Sequence, residues 1–385
     1  MIIESCPVCA SNNYDSLYPE YKGKAISSDL KVMPNATLDN RLCKDCGLIF
    51  NAKGIRGFTK KFYKNSYKLM TSLEEGEIKS HTSSGAISQA KRTYEIFKES
   101  CNITPESKLL EVGAGKGDFL GHLLQEYADL TIEAFEPSES FNILKERFHA
   151  VKALNCDYTE YPIRSEDYEF IVSLGVLEHV EDPFDMLNWI YIALKPGGIC
   201  FIRIPLFENN PNDIFTIDHL SKLTKPTIKY LTEKVGFSIL SFQSKGVAAF
   251  VTLKKEKQKA FDIQNPYKEN LFIANNNIQF AKGIIESVHK AREAAKLDGS
   301  NFGIFGMATS GLFAPFYLHF STDEIAAYID ENSSMWNSKI LDRPIGGLDL
   351  IKQMDIKHVA LVISPVYHQQ VKAKLSAYGV TVYSP

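Results

Sequence analysis

The chain has 385 residues, 44% hydrophobic and 23% charged, with a formal net charge of -3, and its length exceeds the roughly 250 to 300 residues at which a single core stops growing, so two or three domains are expected. No apolar run approaches the ~20 residues that span a bilayer. The start Met1-Ile2-Ile3-Glu4-Ser5-Cys6 also lacks the basic and then apolar pattern of a secretory signal, so a cytoplasmic location, away from membranes, is expected. The slight acidic balance disfavours binding of the whole surface to nucleic acid, although residues 1–70 hold 11 Lys or Arg against 6 Asp or Glu, which suits an anionic substrate or a plain solvated face.

The first 70 residues are rich in Asn, Ser, Lys and Tyr and poor in helical periodicity, as in a small domain held by something other than a core. Cys6-Pro7-Val8-Cys9 and Cys43-Lys44-Asp45-Cys46-Gly47 form two CxxC knuckles, the spacing that supplies four thiolates to a closed tetrahedral zinc site with no position left for catalytic water. Cys101, Cys156 and Cys200 stand alone, and a metal site rather than disulfides is expected in a reducing compartment.

From residue 84 the texture changes. A helical stretch over 84–100 leads into alternating strands and helices to about residue 253, with buried parallel strands expected at 108–112, 130–135, 168–174 and 199–204. This predicts an α/β fold, a doubly wound Rossmann-like sheet over 71–253 behind a zinc-binding domain over 1–70. The charged run at 254–259 marks a boundary. A linker and long helix fill 254–300, with the helix near 269–297, and a small α/β domain over 301–385 follows. Strands are expected there at 301–305, 324–329, 358–363 and 379–383, with a turn at 306–311.

The chemistry concentrates in Glu111-Val112-Gly113-Ala114-Gly115-Lys116-Gly117-Asp118. An apolar strand enters a turn of three glycines, and a helix opens at Asp118, so the backbone can approach a ligand where any Cβ would collide. Glu111, just before the first glycine, suits a ligand end bearing an ammonium and would repel a pyrophosphate, which disfavours NAD. About 20 residues on, Glu136 before Pro137 ends the next strand, where a carboxylate takes both ribose hydroxyls. Cys156-Asp157-Tyr158 ends the third strand, where a carboxylate can accept an adenine amino group. Glu178-His179 follows the fourth strand, which ends at Leu174, and lies at the carboxyl edge of the sheet; His179 could serve as a base or cap the helix near Asp182-Pro183. Asp218-His219, in the polar insertion after the fifth strand, pairs a carboxylate with an imidazole that it could tune towards neutral pH, or is an N-capping Asp beside a surface His.

Over about residues 84–250 this series, with Asp167-Tyr168-Glu169-Phe170-Ile171-Val172-Ser173-Leu174 and Leu194-Lys195-Pro196-Gly197-Gly198, resembles class I methyltransferases, which implies S-adenosylmethionine as methyl donor. With the two CxxC pairs and the C-terminal domain, nearly the whole chain resembles the sugar C-methyltransferases, which act on nucleotide-linked deoxy-keto-sugars. The family's Tyr-rich stretch is matched by residues 62–72, its Glu-His-Leu-Ser-Tyr-Phe-Ser motif by Asp218-His219-Leu220-Ser221-Lys222-Leu223-Thr224, and its Gly-Tyr-Gly-Ala loop by residues 302–311, with Asp330 and Pro344-Ile345 in order. The resemblance implies His219 as general base, a proton donor such as Tyr67 for the enolate, and a C-terminal domain that grips the substrate's nucleotide. Asp in place of the family's Glu at 218, Lys222-Leu223 in place of its aromatic pair, and Glu178-His179, which looks like the Glu-His-Val segment of O-methyltransferases, leave carbon and oxygen as alternative acceptors, with His179 as the alternative base. The expected partner is a small molecule, a nucleotide-linked sugar, with no nucleic acid. The rival readings are a zinc-ribbon RNA methyltransferase, favoured by the basic N-terminal surplus, and an oxidoreductase or nucleotide-binding module built on Gly303-x-x-Gly306.

Overall fold

The computed structural model describes residues 2–385 apart from 20, 22, 23, 34, 35, 68–76, 78, 83, 84, 257–261 and 308. The expectations placed at residues 68–72, Ser84, 257–259 and Ala308 therefore lie outside the described residues.

The largest sheet has seven strands in the order Lys152–Leu154, Thr131–Phe135, Lys108–Val112, Tyr168–Leu174, Leu194–Pro205, Ala248–Lys255, Phe237–Lys245. The first five are parallel, and Ala248–Lys255 runs antiparallel to both neighbours. The order reverses between Lys108–Val112 and Tyr168–Leu174, and at that switch point the carboxyl ends open a crevice. Strand residues Leu109, Leu110, Ile171, Val172 and Ile202 are at most 1% exposed, because helices on both faces leave no solvent side. The expected α/β doubly wound, Rossmann-like class is the one observed.

The helix expected over 84–100 starts later. Gly85–Ser88 is a strand paired with Lys79–Thr82, and the helix is Gln89–Ser100, where the Ser88 side chain accepts from the Lys91 N–H at 3.0 Å. That hydroxyl takes one of the free donors of the first turn and fixes the start.

The N-terminal segment forms a four-stranded antiparallel sheet, Tyr14–Leu17, Asn40–Cys43, Ile49–Asn51 and Ser221–Lys222. Its last strand comes from the insertion that carries His219, so the cysteine lobe is stitched to the main domain by backbone pairing. It also has more core than its composition suggests: Leu17, Ile26, Leu42 and Ile49 join one cluster with Phe215, Ile284 and Phe313. The core is borrowed from residues far along the chain, which local periodicity does not reveal.

The helix Tyr267–Asp298 leads to a six-stranded sheet ordered Lys339–Ile340, Arg343–Gly346, Ile325–Ile329, Asn301–Phe305, Ile356–Leu361, Thr381–Tyr383. The turn expected at 306–311 is shorter, since the helix Thr309–Leu318 already includes Gly311, where a Cβ would meet the Gly306 carbonyl oxygen at 2.4 Å. Among the described residues no helix is long and apolar enough to cross a membrane.

Candidate functional site

A cavity of about 1030 Å³ runs along the carboxyl edge of the large sheet. Its floor is the bend after Val112. Gly113, Gly115 and Gly117 have φ of +76°, +55° and +78°, and a Cβ on Gly113 would fall 2.4 Å from Val176 Cγ2, so the loop needs glycine for both conformation and approach. The helix Asp118–Glu126 then opens with Gly117 at its N-cap.

Two carboxylates face this bend. Glu136 accepts from the Gly115 N–H at 2.7 Å through Oε2 and from the Ser138 N–H at 2.8 Å through Oε1. Each carboxylate oxygen keeps further lone pairs, so a pair of ligand hydroxyls can still be held. Glu111 is 2% exposed, and its Oε2 has no hydrogen-bond partner. Burial, then the charges of Glu136 and Asp118, push its pKa well above the usual carboxylate range. A buried acid with an idle oxygen in a ligand cleft fits a cationic group that would restore its charge.

Beyond Glu136 the cavity is lined by Pro137, Cys156, Asp157 and Tyr158, and towards the fourth strand by Leu174. Asp157 accepts from the Thr159 N–H at 2.7 Å and caps the short turn Tyr158–Glu160. Tyr158 donates to Asp185 Oδ2 at 3.1 Å, so its ring is fixed as a wall.

The other end of the cavity gathers the predicted catalytic residues. His179 Nδ1 lies 3.1 Å from the Asp218 carbonyl oxygen and 2.6 Å from the Tyr63 hydroxyl. Nδ1 thus faces a carbonyl, which accepts, and a hydroxyl, which can donate or accept, while Nε2 lies 3.9 Å from Glu178 Oε1. The capping role considered for His179 belongs instead to Asp182, which accepts from the Phe184 and Asp185 N–H groups. The rings of His179 and His219 pack edge to face with centroids 4.7 Å apart.

Asp218 does not pair with its neighbour in sequence. Its carboxylate, 0% exposed, accepts from the Ser28 N–H at 2.7 Å, the Ser28 hydroxyl at 2.6 Å and the Tyr63 hydroxyl at 3.2 Å. The carboxylate on His219 Nδ1 is Asp213, itself 1% exposed. Burial opposes charge on this pair, but mutual attraction wins: the His219 pKa is raised and that of Asp213 lowered. Lys222, fully buried, donates to the Thr216 and His219 carbonyl oxygens at 2.8 and 2.9 Å and so holds the loop that presents the imidazole. Tyr63 and Tyr67 close this end, with ring centroids 5.1 Å apart, and burial, followed by the Asp218 charge, keeps both phenols protonated far above neutral pH.

Sequence reasoning missed Asp213, Tyr63 and Ser28. Asp213 sits six residues before His219 in the turn Pro211–Phe215, and Tyr63 had its signal in the same Tyr-rich stretch that suggested Tyr67.

Cys6, Cys9, Cys43 and Cys46 converge about 40 residues apart in sequence. The Cys6–Cys46 and Cys9–Cys43 sulfurs are 3.5 Å apart, and all four Sγ atoms lie within 4.8 Å of one another. Four sulfurs at about 2.3 Å from a common centre stand nearly this far apart, so the donor set fits a tetrahedral metal ion.

Residues 88–241 match a family model described as a methyltransferase domain. A tRNA U34 carboxymethyltransferase of Hahella chejuensis is 27% identical over 158 residues, 37% of this chain and 48% of that protein. Another, of Pseudoalteromonas translucida, is 25% identical over 169 residues, 40% of this chain and 50% of that protein. The chain thus spans about half the length of the curated relatives it matches. A solved S-adenosylmethionine-dependent methyltransferase of Aquifex aeolicus aligns with a TM-score of 0.37 at 16% identity, over 42% of this chain and 89% of that one. The strand order, the glycine bend with its two acids and the matched residues 88–241 lead to one conclusion: this chain carries a class I, S-adenosylmethionine-dependent methyltransferase domain.

Proposed function

We propose that the protein transfers a methyl group from S-adenosylmethionine to a small acceptor, a nucleotide-linked keto-sugar, at the carbon beside the carbonyl, with His219 as base. The observation that supports this best is the continuity of one cavity. It passes Glu136, Gly113 and Glu111 and ends under Tyr63 and Tyr67 at two imidazoles, so donor and acceptor would share an enclosed space with a proton acceptor in place.

Bound S-adenosylmethionine supplies an electrophilic methyl group on a sulfonium. Glu111 would hold its ammonium and Glu136 its ribose hydroxyls, while Pro137, Cys156, Asp157 and Tyr158 frame the adenine. His219, oriented by Asp213, offers Nε2 to the acceptor's proton. Tyr67, a neutral phenol, can donate to the oxygen on which negative charge develops. With a hydroxyl as acceptor, His219 or His179 takes that proton and the product is an ether.

The C-terminal unit would hold the nucleotide carrier. Asp330, at the tip of the strand Ile325–Ile329, accepts from the Met307 and Asn332 N–H groups at 2.7 and 2.8 Å. Glu136 clasps the methyltransferase loop in the same way, so a nucleoside-sized ligand has a similar acidic clasp in both units. The four cysteines would hold a structural zinc, for which four thiolates and no free position are the usual set.

A second reading, methylation of a tRNA base, is favoured by the names of the curated relatives. Incubation with labelled donor, a panel of nucleotide sugars and bulk tRNA separates the two by mass spectrometry of the products. We expect label in a sugar nucleotide; label in tRNA alone would replace the sugar reading. His219→Ala should abolish turnover and leave donor-product affinity within about twofold, and normal turnover would move the base to His179.

A further inference from the structure

The acceptor end of the cavity holds a cation that the chemistry above leaves unused. Arg203 lies near the carboxyl tip of the strand Leu194–Pro205 and lines the cavity. Among the described residues its guanidinium has no hydrogen-bond or ion-pair partner, and its Nε is sealed from solvent with none. Burial pulls its pKa below the usual arginine value; Glu178 opposes the fall and the positive charge of Arg92 adds to it. Arg92 belongs to the helix Gln89–Ser100 and likewise has no ion-pair partner among the described residues. Among the described residues the nearest opposite charge is Glu178, with which Arg203 forms no ion pair, and a dry N–H on a cation is unfavourable unless a ligand satisfies it.

Gly175 locates the guanidinium within the site. A Cβ placed there would lie 4.0 Å from Arg203 Nη1 and 3.6 Å from Glu178 Oε1. A Glu178 carboxylate oxygen, in turn, stands within 4.8 Å of one ring nitrogen each of His179 and His219. Guanidinium and imidazoles therefore line one cavity, with the Glu178 carboxylate between them. The acids that suit the donor's ammonium and ribose, Glu111 in the strand Lys108–Val112 and Glu136 just after Thr131–Phe135, lie on the other side of the switch point.

We propose that Arg203 forms an anion site at the acceptor end of the cavity, so that the molecule methylated carries a carboxylate or phosphate oxygen close to the atom that receives the methyl group. A planar guanidinium presents a fork of N–H donors that matches either group. Assigning the anion to the acceptor rests on the methyltransferase reading; the anion site itself rests on the unpartnered Arg203 guanidinium in the cavity wall.

Isothermal titration of the full chain with malonate and, separately, pyrophosphate, each with and without saturating S-adenosylhomocysteine, tests this on wild type, Arg203→Met and Arg203→Lys. We expect wild type to bind one of these anions alongside S-adenosylhomocysteine, Arg203→Met to bind it at least tenfold more weakly, and Arg203→Lys to fall between. S-adenosylhomocysteine affinity should change less than threefold. Preference for malonate points to a carboxylate on the acceptor, and preference for pyrophosphate to a phosphate. Equal anion binding by wild type and Arg203→Met, or none by wild type, overturns the proposal. So does a tenfold loss of S-adenosylhomocysteine affinity in Arg203→Met with anion competition, which would give the guanidinium to the donor's carboxylate. Arg203→Lys keeps the charge, so the comparison survives a Met variant that does not fold. If S-adenosylhomocysteine does not bind at all, the methyltransferase reading fails, while the anion titrations without it still decide the site.

Discussion

Replacing Gly113 with Ala perturbs the bend on which the donor site depends. The residue has φ +76°, and the new Cβ would fall 2.4 Å from Val176 Cγ2. The Gly113 and Ala114 N–H groups both donate to the Phe135 carbonyl oxygen, at 2.9 and 3.0 Å, so the backbone cannot swing clear without giving up two hydrogen bonds. A left-handed backbone costs a residue with a Cβ about 1–2 kcal/mol, and forcing a methyl into packed atoms costs about 1–3 kcal/mol. Gly113→Ala should therefore destabilise the fold by about 2–5 kcal/mol. Val176 lines the cavity, so relief of the clash pushes it into the donor site and S-adenosylhomocysteine affinity falls as well. Chemical denaturation of Gly113→Ala, Val176→Ala and the double variant separates the two costs. The double variant should recover the packing share and keep the about 1–2 kcal/mol backbone share. A Gly113→Ala protein as stable as the parent, or a double variant no better than Gly113→Ala, would refute the reasoning.

Other variants probe the acceptor end and the cysteine lobe. Asp213→Asn removes the charge that raises the His219 pKa; if His219 is the base it must be neutral, so activity rises with pH through that pKa, and the rising limb of the rate profile should move to lower pH. For stability the sign is that of a raised histidine. Wild type's advantage over Asp213→Asn is fully present between about pH 4 and 6.5, fades as pH climbs through the folded His219 pKa and is lost in acid as Asp213 is protonated, which urea denaturation across pH would read. Cys43→Ser should cut bound zinc, measured by elemental analysis, from about one per chain to a small fraction, and should loosen the lobe enough for limited proteolysis to cleave within residues 1–60; full zinc retention would speak against a four-sulfur site. Lys222→Met should lower turnover more than donor-product affinity, because the lost bonds to the Thr216 and His219 carbonyls hold the His219 loop and not the donor.

What could be read from the sequence was local. The strand, the three glycines and the helix opening at Asp118 lie within eleven residues, so their geometry follows from their order, and the same holds for each CxxC knuckle. Glu136 was legible because strand ends in a doubly wound sheet fall at regular spacing. The acceptor end was not, because its contacts join distant segments: Ser28 meets Asp218 across 190 residues and Tyr63 meets His179 across 116. Adjacency in the chain told only part: the Asp218 charge does help raise the His219 pKa, behind that of Asp213. Asp218 precedes His219, yet its carboxylate turns to Ser28 and Tyr63, while Asp213, one short turn upstream, takes the imidazole. The N-terminal lobe hid its core for the same reason, since Leu17 and Ile49 pack in a cluster shared with the helix Tyr267–Asp298.

The most direct test is calorimetric titration of the purified protein with S-adenosylhomocysteine, repeated on Glu136→Ala. The account predicts uptake of one equivalent by wild type. It also predicts roughly a ten- to hundredfold weaker constant in the variant, since hydrogen bonds to a charged group contribute about 1.5–3 kcal/mol. No uptake by wild type, or uptake indifferent to the loss of Glu136, would contradict it.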